Sequence, residues 1–243
     1  MTTLHDLLQS SDNIVFFDGA GVSTESGIPD FRSDQGIYAT KKAFGYPPET
    51  ILSRSFFLSR PEIFYRYYRE NLIYTSAAPN AAHTALARLE QAGKLRAVIT
   101  QNIDSLHQQA GSHRVLELHG SAARNYCTQC HAKYDIDIII NSEGIPGCPQ
   151  CGGMVRPDVV LYEEGLDNAI LAESVEYIAD ADVLIVGGTS LNVYPAAGLI
   201  GHYHGDKLVL INKGATSYDS RANLRISDSI GKILGEAVDS LGL

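Results

Sequence analysis

Four cysteines in two close pairs restrict this chain more than any other feature: Cys127-x2-Cys130, then 17 residues, then Cys148-x2-Cys151. Each pair suits a tight turn that aims two thiolates at one point, and the overall spacing matches the zinc-ribbon pattern. Four thiolates complete a tetrahedral shell and leave no open position, so one Zn2+ held there is expected to be structural rather than catalytic. A stretch this short has little core of its own, and metal binding is expected to supply much of its folding energy. Disulfides or unpaired buried thiols are the competing readings. The first residues, MTTLHDLLQS, lack the basic start and long apolar core of a signal peptide. No apolar run approaches the ~20 residues of a membrane span. The expected compartment is therefore the cytoplasm, with no membrane partner, and disulfides are rare there. His131, beside Cys130, is a further donor that four sulfurs do not need. Ribbons serve many purposes, so this one names no function.

The rest of the chain alternates short apolar runs with helical patterns. Runs at 14–17, 95–99, 115–118, 159–161, 183–186 and 208–211 read as strands. Residues 81–91 carry apolar side chains at helical spacing, with Asn80 as N-cap and Gly93 as stop. Further helices are expected near 168–179, 195–203 and 230–241. This alternation predicts an α/β fold, a doubly wound parallel sheet of Rossmann-like type covered on both faces. The 243 residues allow one large domain. Its core is expected over about 1–122 and 158–243, with the small zinc-ribbon module inserted at about 123–157. Sheets of this kind bind ligands beyond the carboxyl ends of their strands, which singles out loops 18–34, 100–107, 187–194 and 212–216. Segment 33–60 is weakly periodic and reads as a mobile loop at that site. With 28 acidic against 19 basic residues, direct nucleic-acid binding is not expected. Basic peptides are tolerated as ligands.

The first of these loops opens Gly19-Ala20-Gly21 directly after a strand. Two glycines let the backbone approach a pyrophosphate, and the following helical turn offers amide donors to it. No third glycine completes the dinucleotide fingerprint, so the pair alone is weak evidence. The longer composite, Gly19-Ala20-Gly21-Val22-Ser23-Thr24-Glu25-Ser26-Gly27-Ile28-Pro29-Asp30-Phe31-Arg32, says more. It sets Arg32, suited to phosphate, and Phe31, suited to cover a planar ring, just beyond the glycines.

That composite resembles the sirtuins, the NAD-dependent protein deacylases, in their bacterial short-chain form. The likeness continues in order through Thr100-Gln101-Asn102-Ile103-Asp104-Ser105-Leu106-His107, Glu117-Leu118-His119-Gly120, the cysteine ribbon, Gly188-Thr189-Ser190-Leu191, Val193-Tyr194-Pro195 and Ile211-Asn212-Lys213. It runs from about residue 10 to about residue 235. The resemblance implies a protein-lysine deacetylase that consumes NAD, acts on acetylated-lysine proteins or peptides and releases nicotinamide and O-acetyl-ADP-ribose. It implies that Gly19, Ala20, Gly21, Arg32, Gly188, Thr189 and Ser190 bind the phosphates and nearby ribose. Ile28, Phe31, Asn102, Ile103 and Asp104 would form the nicotinamide pocket, with Asn102 and Asp104 gripping the carboxamide. Gln101 and His119 would face the nicotinamide ribose, with His119 as general base on a ribose hydroxyl, a step suited to an imidazole of ordinary pKa ~6.5. Asn212 and Lys213 would lie near the adenosine ribose, and Ser229 near the adenine. Val160, Tyr162, Glu163 and Val193 would hold the peptide. A protein ADP-ribosyltransferase using the same pocket is the alternative, but it has no need of His119 as a base. A non-enzymatic scaffold would need few of these polar groups.

The chain departs from the family pattern in two places. Asp18 stands where Thr usually precedes Gly-Ala-Gly, so it either turns away to a backbone amide or weakens NAD binding. Tyr162-Glu163-Glu164 stands for Phe-Gly-Glu. Losing that glycine restricts the backbone, and the double Glu is expected to favour basic residues around the target lysine. Sirtuins that prefer succinyl or malonyl lysine carry a Tyr and, three residues later, an Arg. Here Tyr65 matches the Tyr, but Tyr68 replaces the Arg, and Arg66 and Arg69 point off that helical face. Neutral acyl groups, acetyl first, are expected.

Overall fold

The computed structural model describes residues 3–29 and 41–243. Nine strands run through it: β1 Ile14–Asp18, β2 Leu95–Thr100, β3 Val115–Glu117, β4 Gly120–Cys127, β5 Lys133–Tyr134, β6 Val155–Val159, β7 Val183–Gly187, β8 Leu208–Ile211 and β9 Leu224–Ile226. The helices are α1 Leu4–Ser10, α2 Lys41–Phe44, α3 Pro48–Ile51, α4 Arg54–Ser59, α5 Pro61–Asn71, α6 Ala81–Gln91, α7 Leu106–Gln109, α8 Asp137–Ile140, α9 Asn168–Asp180 and α10 Ile230–Asp239.

Six strands form one parallel sheet in the order β3-β2-β1-β7-β8-β9. All five residues of β1 are buried, as a central parallel strand requires. Its side chains alternate between two cores. Ile14 and Phe16 meet Leu7 and Leu8 of α1, Leu86 and Leu89 of α6, and Leu234 and Val238 of α10. Val15 and Phe17 meet Ile178 of α9 and Leu199 and Ile200 of the 3-10 helix Ala196–His202. The doubly wound fold expected from the sequence is thus observed. Asn80 caps α6 as expected, its side chain accepting from Ala82 N, and at the other end Lys94 N returns to Leu89 O, the bond that closes a helix before a glycine stop.

Three expectations need correction. Residues 159–161 are not a strand of the parallel sheet. Of that run only Val159 lies in a strand, the end of β6, which pairs antiparallel with β4 in a three-stranded sheet of order β5-β4-β6. The expected helix at 195–203 is a 3-10 helix. Residues 41–60 of the supposed mobile loop form α2, α3 and α4; residues 33–40 lie outside the described residues. Those helices and α5 have a core to join. Phe56, Phe57, Phe64, Tyr65, Tyr67 and Tyr68 pack with Cys127, Cys148, Val155 and Val159 of the small sheet. A second lobe is therefore assembled from two stretches of chain, 41–72 and 120–161, that the linear sequence keeps apart. No described helix is long and apolar enough to cross a membrane.

Candidate active site

Strand order reverses between β1 and β7, and the loops leaving their carboxyl ends meet there. Gly21 N donates to Gly188 O at 2.8 Å. A Cβ on Gly21 would stand 2.7 Å from that oxygen, and one on Gly188, at φ +59°, 2.4 Å from Val22 N. Both positions therefore require glycine, and the two loops interlock into one floor with exposed backbone, the surface an anionic group needs. A cleft of about 1470 Å³ opens over it. Gly19, Ala20, Gly21, Ile28, Gln101, Asn102, Ile103, Asp104, His119, Gly188, Thr189, Ser190, Asn212 and Lys213 line this cleft, together with Val160, Tyr162, Glu163 and Val193.

The turn after β2 carries the densest polar network. Asn102 Nδ2 donates to Gly19 O at 3.1 Å and to Ser23 Oγ at 3.2 Å. Ser23 Oγ donates to Asp104 Oδ2 at 2.7 Å, and Asp104 Oδ1 accepts from Leu106 N at 2.9 Å. Gln101 Nε2 donates to Asp18 O at 2.9 Å and Thr189 Oγ1 at 3.2 Å. Amide and carboxylate are thus held at the inner end of the cleft by the glycine loop itself.

His119 follows β3 and precedes Gly120, whose φ of +75° and contact with Asp158 O exclude any side chain. Its Nδ1 lies 2.8 Å from Gln101 O. A carbonyl only accepts, so Nδ1 carries the proton and Nε2 keeps its lone pair. Burial pushes the imidazole below its ordinary value, and the Gln101 carbonyl offsets part of that shift. The ring is a neutral base near pH 7.

One wall of the cleft is the segment after β6. Val160 N donates to His119 O at 3.0 Å, Tyr162 N to Leu52 O at 3.0 Å, and Arg54 N to Tyr162 O at 3.0 Å. Glu163 adopts φ +74°, the conformation a glycine would take freely. Its carboxylate accepts from Ser55 N at 2.9 Å and Ser55 Oγ at 2.8 Å. Glu164 forms two hydrogen bonds with Arg156, at 2.9 and 3.0 Å, and accepts from Leu161 N. Burial alone would raise the Glu164 carboxyl, but Arg156 and the Leu161 amide together hold it below the ordinary carboxylate value. The expected acidic pair for basic substrate residues is therefore internally committed.

Other predicted positions fall elsewhere. Tyr65 and Tyr68 do not line the described cleft. Both are fully buried in the second lobe, where Tyr65 packs on Phe57 of α4, Tyr68 stacks on Phe64 of its own helix, and Tyr65 Oη donates to Val155 O. Arg69 is engaged by Ile139 O and Ser142 Oγ, and Arg66 lies over the Phe44 ring at 4.6 Å. Ser229 does not line the cleft, although its neighbours Asp228 and Ile230 do. Phe31 and Arg32 lie outside the described residues. Sequence reasoning missed Ser23, although it follows the glycines directly, and Leu72, Ile73 and Tyr74, which enter the cleft after α5 without any periodic signal.

The four cysteines gather as their spacing implied. Their sulfurs all lie within 4.8 Å of one another, with Cys127 and Cys151 at 3.5 Å and Cys130 and Cys148 at 3.6 Å. Bonded sulfurs would stand about 2.05 Å apart. A tetrahedron of ~2.3 Å Zn–S bonds gives edges close to the observed separations, so the donor set fits zinc. Tyr134 Oη approaches Cys148 Sγ at 3.0 Å.

A family model described as the Sir2 family matches residues 19–195. The chain belongs to the Sir2 family. It is 60% identical over 232 residues to an NAD-dependent protein deacetylase of Clostridium acetobutylicum, covering 95% of each chain. It is 44% identical over 234 residues to one from Staphylococcus aureus, covering 96% of each. Among solved structures, Sir2 with a p53 peptide and NAD+ matches at a TM-score of 0.86 and 40% identity, covering 98% of this chain and 96% of that one. Sir2Tm bound to a propionylated peptide matches at 0.85 and 39%, with the same coverage. In this Sir2 chain the glycine floor, the 101–104 turn and His119 share one cleft, so the motifs quoted from the sequence converge in space.

Proposed function

We propose that this chain is an NAD-dependent protein-lysine deacetylase that releases nicotinamide and O-acetyl-ADP-ribose. One observation carries the reading: His119, fixed by Gln101 O with Nε2 left as a base, stands in the same cleft as the interlocked glycine floor and the Asn102–Asp104 turn. Bound NAD supplies an electrophilic ribose carbon and a nicotinamide leaving group. Gly19, Ala20, Gly21, Gly188, Thr189 and Ser190 hold its phosphates, and Asn212 and Lys213, with Asp228 and Ile230 beside Ser229, border its adenosine end. Asn102 and Asp104 hold the carboxamide in a pocket shared with Ile28 and Ile103. His119 Nε2 takes the proton of a ribose hydroxyl. Val160, Tyr162, Glu163 and Val193 border the peptide. The Clostridium acetobutylicum and Staphylococcus aureus relatives named as deacetylases support this activity. ADP-ribosyl transfer to a side chain does not need His119 as a base on a ribose hydroxyl, so that alternative is not favoured.

Structural zinc in the Cys127, Cys130, Cys148 and Cys151 site suits a reducing compartment, and we place the protein in the cytoplasm. We read the chain as one catalytic domain with the ribbon built into it. Arg66 and Arg69 are both committed, which supports a preference for neutral acyl groups, since a carboxylate without a partner is costly to bury. Mass spectrometry of an acetyl-lysine peptide with and without NAD tests the activity: loss of the acetyl mass with release of O-acetyl-ADP-ribose is expected. ADP-ribose retained on protein, or no change, would reject it.

A further inference from the structure

We propose that Asp18 is a positioning residue, the pivot of a buried hydrogen-bond chain that runs from His107 of α7 to the 101–104 turn. The inference rests on the deacetylase reading of that turn. Asp18 is fully buried, and its two carboxylate oxygens have different partners. Oδ1 accepts from Thr100 Oγ1, and Oδ2 lies 2.6 Å from His107 Nε2. The carboxylate thus meets neither of the two fates expected for it, a backbone amide or the phosphate floor.

A second buried imidazole, that of His83, lies beside the His107 end of the chain. Asn80 N is a backbone donor and lies 3.2 Å from His83 Nδ1, so Nδ1 of His83 carries the lone pair and its Nε2 carries the proton. The His83 ring lies 4.7 Å from that of His107. His83 Nε2 and His107 Nδ1 are two buried nitrogens without a hydrogen-bond partner among the described residues. No hydrogen bond joins the two rings, so the chain begins at His107. His107 Nε2–H then donates to Asp18, Thr100 Oγ1–H donates to the other oxygen, and Thr100 Oγ1 is left to accept from Asn102 N at 3.0 Å. Burial pushes His83 down to about 3, which keeps that ring neutral beside His107.

Asp18 also sits one residue before the glycine floor, and its carbonyl accepts from both Gln101 N and Gln101 Nε2. Removing its carboxylate frees the Thr100 hydroxyl to rotate and withdraws the fixed acceptor of Asn102 N. The effect is then felt at Asn102 and Asp104, which handle nicotinamide, and not at the peptide wall formed by Val160 and Tyr162. Asparagine can serve the same geometry: its Oδ1 accepts from Thr100, and its Nδ2 donates to His107 Nε2 in the other neutral tautomer.

The test is nicotinamide exchange into NAD, measured beside the peptide KM, in wild type, Asp18→Ala, Asp18→Asn and Thr100→Val, with folding checked by circular dichroism. Wild-type exchange tests the underlying reading, and its absence would reject that reading before any variant is considered. Given wild-type exchange, Asp18→Ala and Thr100→Val are each expected to lose about tenfold or more in exchange with peptide KM within about twofold. Asp18→Asn is expected to recover to within about threefold of wild type. Unchanged exchange in Asp18→Ala or Thr100→Val overturns the proposal, as does an equal loss in peptide KM without rescue by Asn. If Asp18→Ala fails to fold, Thr100→Val and Asp18→Asn decide it on the same criteria.

Discussion

Replacing Glu163 separates two opposing terms that the wild-type residue combines. A side chain in the left-handed region costs about 1–2 kcal/mol. Against that, the Glu163 carboxylate accepts from Ser55 N and Ser55 Oγ in the first turn of α4, and helix-end acceptors of this kind contribute about 1 kcal/mol when exposed. Glu163→Ala keeps the strain and loses the acceptor, so it should be about 1 kcal/mol less stable than wild type. Glu163→Gly loses the same acceptor but relieves the strain. Glycine adds about 0.4–1 kcal/mol of unfolded-chain entropy in return. The Gly variant should therefore be more stable than the Ala variant by about 0.5–1 kcal/mol, or about 1–4 °C in melting temperature for a chain of this size. Thermal unfolding of the zinc-loaded proteins, read by circular dichroism, measures the difference. Function should sort the other way. The carboxylate ties the Tyr162 edge to α4, and a glycine there is freer than an alanine, so peptide KM should rise more in Glu163→Gly with kcat little changed. An Ala variant as stable as the Gly variant would refute the strain argument, since both lose identical contacts.

His119→Ala should bind NAD nearly as wild type and lose about 10²–10⁴-fold in product formation, measured by mass spectrometry. Because burial lowers His119 and the base must be neutral, the acid limb of the wild-type rate should lie below the ordinary ~6.5; a limb above that value would contradict the shift. His83 is held at about 3 by burial, so the folded protein refuses a proton that the unfolded chain accepts. Its contribution to stability is complete above pH ~6.5 and is lost as pH falls toward 3, at about 1.4 kcal/mol per pH unit. His83→Gln should flatten that slope in denaturant titrations at pH 4–6.5. Removing zinc with a chelator should lower the melting temperature, and Cys127→Ala with Cys130→Ala should reproduce the loss without added chelator sensitivity. Acetyl-lysine peptide should exceed its succinyl counterpart in kcat/KM by about tenfold or more; equal values would mean that a cation reaches the acyl group from elsewhere.

The parallel sheet was legible because its central strands are buried on both faces and therefore read as unbroken apolar runs. β9 was missed for the opposite reason: Leu224–Ile226 is three residues at the sheet edge with Arg225 facing out. The cysteine cluster was legible because ligand spacing is a local property. The second lobe was not, because its core depends on α4 and α5 meeting β4 and β6 across more than fifty residues of sequence. Helices of four to six residues hold too few turns for periodicity to show. Tyr65 and Tyr68 were judged by their positions relative to a motif, whereas their burial depends on that nonlocal core. The partners of Glu163 and Glu164 were not legible, because Ser55 is distant in sequence and nothing local marks Arg156 as a partner of Glu164. The motifs of the cleft itself were legible, since each follows its strand directly and the strands converge.

The place of His119 explains why the metal site and the cleft belong to one design although the sulfurs do not line the cleft. The chain leaves the parallel sheet at Glu117 and enters the antiparallel sheet at Gly120, so the imidazole stands on the joint between them. Its ring is held by Gln101 from the first sheet, and its carbonyl by Val160 just past β6 of the second. Arg124 of β4 spans the same joint, reaching Glu117 at 2.6 Å and Asp158 at 3.0 Å. A zinc held by Cys127, Cys130, Cys148 and Cys151 would link the end of β4 to the turn just before β6. With the metal bound, β4 and β6 have little freedom to shear, so the Val160 edge and the His119 backbone keep their register. Loss of the metal then acts on the base by loosening one of its two supports, whereas the Gln101 contact and the glycine floor, both built on the parallel sheet, keep theirs.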